Sequence, residues 1–136
     1  VKDAGKVLEK IVISCILLSM ERHFAIHDYH TSLVVEVLVD KFDFLELSES
    51  SGYLRNILEK RHYPPTIFDL RKVTFIDSSV FGFLLEIHNR AKKKGNKIAI
   101  VCADKALLRV MAMLTVPDII KVFQTREQGE EYLNIK

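Results

Sequence analysis

The sequence predicts a single α/β domain whose core is a mixed sheet of about five strands. Three observations lead there. Two apolar, β-prone runs, residues 24–30 and 32–39, come first. Helix-like and strand-like segments then alternate to the C-terminus, an order that calls for parallel neighbours joined by crossover helices. Finally, 136 residues with 49% hydrophobic and 28% charged side chains are enough for one well-covered core and too few for two.

The first nineteen residues stand apart. Ala4, Val7, Leu8, Ile11, Val12, Cys15 and Ile16 follow helical spacing, and Lys2, Lys6 and Lys10 share another face. An amphipathic helical extension over residues 1–19 is therefore expected, ahead of a domain spanning 20–136. Its apolar stretch is about half what a membrane span requires, and Asp3 and Glu9 interrupt the pattern of a signal peptide. Packing against the domain, or against a second copy to give a homo-oligomer, is favoured over attachment to a membrane surface. The chain opens on Val1, and Met20 stands as an alternative start.

The run of Leu and Val within 32–39 alternates poorly, as expected of a strand covered on both faces. Asp40, Lys41, Phe42 and Asp43 break it. Residues 48–61 then read as a helix with Ser48 as cap, a stripe of Leu54, Ile57 and Leu58, and Gly52 weakening the first turn. Pro64 and Pro65 mark the beginning of a strand over 66–70. Phe75 and Ile76 dip back toward the core. Asp77, Ser78 and Ser79 follow, all good N-cap types, and Val80, Phe83, Leu84, Ile87 and Ala91 recur at helical spacing as far as Gly95, the expected stop. Residues 96–102 read as a strand. Asp104 caps a helix striped by Leu107, Val110, Met111 and Leu114, whose methionines fill core gaps and which Pro117 ends. A last strand over 119–123 leads to a closing helix capped by Thr125, with Glu127 in its first turn.

Several function classes are disfavoured. Twenty basic against eighteen acidic side chains leave a formal charge of +2, too balanced for nucleic-acid binding. The longest run of like charge, Lys92 to Lys94, falls in the last turn of a helix, where cations suit the dipole. Cys15 and Cys102 lack a C-x-x-C neighbour and read as small core residues of a reducing compartment, the cytoplasm. His23, His27, His30, His62 and His88 do not complete a metal-ligand pattern, and no glycine-rich phosphate loop is present, so neither metal nor cofactor is expected. Ser78 lacks the elbow of a hydrolase nucleophile, which disfavours an enzyme.

The stretch DLRKVTFIDSS, residues 69–79, resembles the signature of STAS domains, the family of anti-sigma factor antagonists. Residues 94–101, KGNKIAIV, are similar to the family's helix end and following strand, and residues 109–123 to its third helix and last strand. The resemblance implies a mixed sheet with helices mainly on one face. It also implies that Ser78 is the phosphorylation target of a partner anti-sigma factor that is a serine kinase. Asp77, Ser78, Ser79, Val80 and Phe81 would meet that partner, joined by Asp43, which matches the acid of the family's G-x-L-D turn, with Asp40 in place of the glycine. One departure is Val80, where the family usually has Gly. A β-branched side chain is awkward where a partner backbone approaches closely. The other role open to a STAS domain is that of scaffold in a stress-signalling assembly or regulatory part of a transport system.

Overall fold

The computed structural model describes Gly5, Val7 and residues 23–135. The helix expected over 1–19 lies outside them except for Gly5 and Val7, both helical. In chain order the elements are β1 (Phe24–Asp28), β2 (Leu33–Val37), β3 (Lys41–Phe42), α1 (Phe44–Lys60), β4 (Thr66–Asp69), β5 (Phe75–Ile76), α2 (Ser78–Lys93), β6 (Ile98–Val101), α3 (Lys105–Met113), β7 (Lys121–Phe123) and α4 (Arg126–Leu133). A 3-10 turn, Val116–Asp118, joins α3 to β7.

The main sheet has five strands in the order β1-β2-β4-β6-β7. β1 and β2 form an antiparallel hairpin with Phe24 opposite Val37, and every other pair is parallel. The two-residue period of the strands sorts their side chains. Leu33, Val35, Val37, Phe68, Ile98 and Ile100 enter the larger core with the inner faces of α1, α2 and α3. Val34, Ile67, Ala99 and Val101 face the other way, toward Tyr132 and Leu133 of α4. Gly129 brings α4 close, since a Cβ there would stand 3.2 Å from Val101 Cγ2. Among the described residues three helices thus cover one face and one covers the other, and β2, with apolar side chains on both sides and Glu36 half-buried, is covered as the sequence predicts. Each large side chain so buried contributes about 1.5–3 kcal/mol.

Several element boundaries differ from expectation, the start of α1 and the end of α3 most of all. α1 begins at Phe44, one turn before Ser48, because the Asp43 carboxylate caps it by accepting from the Glu46 amide at 3.1 Å. The Ser48 hydroxyl instead donates to the Leu45 carbonyl inside the helix, and Gly52 becomes an exposed mid-helix residue. α3 stops at Met113, before Pro117, where Thr115 turns left-handed at φ 57°. Only Leu107 and Met111 of its stripe are buried; Val110 and Leu114 are exposed, and Met113, 82% exposed, fills no core gap. Phe75 and Ile76, which the sequence marks only as dipping toward the core, form β5 outside the main sheet, paired with β3.

Two consecutive non-glycine residues, His62 at φ 56° and Tyr63 at φ 49°, turn the chain from α1 toward β4. Tyr63 is held there. Its amide donates to the Leu58 carbonyl at 2.8 Å, its carbonyl accepts from Asn96 Nδ2 at 2.9 Å, and its ring is buried under the Arg90 guanidinium. Gly95, at φ 76°, closes α2 as expected.

Candidate functional site

The starts of α1 and α2 are brought together by a short ladder. β3 and β5 run parallel, with Lys41 opposite Phe75 and Phe42 opposite Ile76. The amides of Thr74 and Phe75 both donate to the Asp40 carbonyl, at 2.8 and 3.2 Å. Phe42 and Ile76 are buried and anchor the ladder, so the segments leading into the two helices are fixed side by side.

Asp77 sits where they meet. Its backbone is extended, and its Oδ1 accepts from the Ser79 amide at 3.1 Å, the Val80 amide at 3.4 Å and the Ser79 hydroxyl at 2.5 Å. Its Oδ2 accepts from the Phe44 amide at 2.7 Å. One carboxylate therefore caps α2 and also satisfies the first amide of α1, both otherwise unpaired donors. These bonds hold its carboxyl below the ordinary aspartate value of 3.8: the Ser79 hydroxyl contributes most, burial opposes it, and the amides of Phe44, Val80 and Ser79 add to it.

The structure places Asp43, Asp77, Ser78 and Ser79 at one corner and distributes them unequally. Ser78 is exposed and is the first residue of α2, while Ser79 is half-buried with its hydroxyl committed to Asp77. Val80 and Phe81 do not face outward. They are 0% and 7% exposed, turned into the core by the helical period, and lie beneath the exposed Ser78. Sequence reasoning missed three exposed apolar side chains around the corner: Phe44 at 60%, Leu45 at 68% and Phe75 at 50%. The available signal was that Phe44 and Leu45 directly follow a cap-type Asp and fall outside the buried stripe.

A second polar cluster lies on the α4 face of the sheet. Asp69 is 1% exposed and is gripped by Arg71 through Nε at 2.9 Å and Nη2 at 2.7 Å. Burial pushes the Glu36 carboxyl up, but His27 and Lys72 outweigh it and the net direction is down. The cavity between these groups, about 260 Å³, is lined by Glu36, Asp69, Arg71 and Lys72. Both acids already have cationic partners, which marks the cluster as a structural pin. Burial pushes the Cys102 thiol up and away from the reactive thiolate. Among the described residues no group of three or more His, Cys, Asp or Glu side chains is placed to hold a metal, and no helix is long and apolar enough to cross a membrane.

Among the described residues, a mixed five-stranded sheet, three helices on one face, and an exposed serine opening the central helix beside a second helix start make up a small α/β domain. The chain belongs to the STAS domain family, whose sequence profile matches residues 26–129. Solved structures share the fold at low identity. An anti-sigma-factor antagonist (STAS) domain protein from Planctomyces limnophilus is 12% identical with a TM-score of 0.73, covering 82% of this chain and 97% of its own. An anti-sigma factor antagonist from Mycobacterium paratuberculosis is 17% identical with a TM-score of 0.65, covering 82% and 92%.

Proposed function

We propose that this STAS domain is an anti-sigma factor antagonist-like binding module, switched by phosphorylation of Ser78 by a partner anti-sigma factor that is a serine kinase. The observation that carries this reading is the contrast between the two serines. The Ser78 side chain is exposed at the start of α2, whereas the Ser79 hydroxyl is held by Asp77. In the unmodified state the corner formed by Asp43, Asp77, Ser78 and Ser79, with Phe44 beside it, docks on the partner and frees the sigma factor. In the modified state the γ-phosphoryl group of ATP has passed to Ser78 Oγ, ADP has left and the hydroxyl proton is lost. The added charge of about −1.5 to −2 then opposes docking by repulsion and desolvation. The module is substrate and switch rather than catalyst, and it works in the cytoplasm with its partner.

Val80 bears on this reading through its burial. Its side chain points inward, so it adds no bulk to the surface a kinase would meet. Incubation with candidate kinases and ATP, followed by mass spectrometry, tests the proposal. One phosphate on Ser78, abolished in Ser78→Ala, is the expected result. Phosphate on Ser79, or none on either serine with a kinase bound, overturns the switch.

A scaffold role has one observation in its favour. Met113, Leu114 and Ile119, 82%, 52% and 49% exposed, lie at the end of α3 and the approach to β7, an edge strand of the main sheet. Pull-down partners lost on Met113→Ser but kept on Ser78→Asp would favour it.

A further inference from the structure

We propose that Asp77 is a tether through which the state of Ser78 reaches the first turn of α1; the proposal rests on the reading of Ser78 as the modified residue and names how that site is regulated. The Phe44 amide is one of the donors that a helix start leaves unpaired. The cap of α1 itself, Asp43, reaches the Glu46 amide and not this one. Phe44 is satisfied instead from across 33 positions of sequence, by Asp77 Oδ2 at 2.7 Å. The same carboxylate serves Ser79 and Val80 of α2 through its other oxygen.

A phosphate on Ser78 would be a second anion beside this carboxylate. It carries more charge and three acceptor oxygens, and the α2 amides that follow Ser78 in the chain, those of Ser79 and Val80, are the ones Asp77 already occupies. Two anions then compete for one set of donors. The phosphate takes the α2 amides, Asp77 turns out, and the Phe44 amide loses its partner. The first turn of α1 bears Phe44 and Leu45, two of the most exposed large apolar side chains among the described residues. Modification therefore acts on a surface built from two helices and loosens its apolar half, in addition to placing charge at one point.

The test installs phosphoserine at position 78 of the full chain by genetic encoding, so no kinase is needed and failure of the kinase reading is separable from failure of the tether. Amide exchange and amide proton shifts are read by NMR at Phe44, with Glu46, bound by Asp43, as reference. The expected result is about tenfold faster exchange at Phe44, the order of one hydrogen bond to a charged group, with an upfield proton shift and Glu46 unchanged. Asp77→Ala in the unmodified chain should reproduce the effect at Phe44. Unchanged Phe44 exchange in the phosphorylated chain overturns the tether, as does equal acceleration at Phe44 and Glu46, which would report general loosening of α1. An Asp77→Ala variant that folds and leaves Phe44 unaltered overturns it as well.

Discussion

At the scale of single residues, four donors converge on the Asp77 carboxylate: the amides of Phe44, Ser79 and Val80, and the Ser79 hydroxyl. Asp77→Ala should therefore lower stability by about 1–2 kcal/mol, the upper range for loss of a helix cap. Ser78→Ala, at an exposed position, should stay within about 0.5 kcal/mol. Thermal melts of the two variants separate these outcomes. The pH dependence follows from the sign of the shift. The folded-state pKa of Asp77 is depressed below 3.8, so its stabilisation is complete above the unfolded-state value and disappears as pH falls from about 4 through the folded value. Acid titrations of Asp77→Asn should lack this contribution. On the opposite face of the sheet, Arg71→Ala strands the buried Asp69 carboxylate and should cost about 2–3 kcal/mol in denaturant melts. Asp77 as a cap and Ser78 as the opening of a helix were legible in the sequence because cap-type residues directly precede a helical period, while the role expected of Ser78 came from the family resemblance alone. Asp69 was not, because a buried acid and an exposed one look the same until the strand beside it is placed.

At the scale of elements, α2 shows how a departure from a family pattern is absorbed. Val80 fills the core at a position where the backbone is helical and where Gly would leave a gap. Val80→Gly should cost about 3 kcal/mol, the sum of lost buried methyl groups and the helix penalty of glycine. Ser78 labelling in the folded fraction should be unchanged, which mass spectrometry at a temperature below the melt would establish. The helices themselves were readable from apolar periodicity. The β3–β5 ladder was not, since two residues per strand are too few to display a period, and it is this ladder that draws Asp43 and Asp77 together. The start of α1 was misplaced for a related reason: its first two residues point apolar side chains at solvent, against the pattern that marks the rest of the helix.

Over the whole molecule, the alternation of segments was sufficient to predict the mixed sheet and its crossovers, because each apolar face has few places to go once the strands are ordered. The position of α4 on the far face was less accessible: it depends on the close approach at Gly129, and that glycine resembles any other in a polar helix. The left-handed pair at the α1 to β4 joint has a consequence for how stable this protein could become. His62 is exposed, and an L-residue at φ 56° carries a conformational penalty of about 1 kcal/mol that glycine does not. Tyr63, by contrast, is tied in by its ring, amide and carbonyl. His62→Gly should raise the melting temperature by a few degrees, offset in part by the added freedom of the unfolded chain, while Tyr63→Gly should lower it. Because this joint is held by the far ends of α1 and α2, away from Asp77, the protein carries a reserve for thermostabilisation that can be drawn on without altering the corner at Ser78.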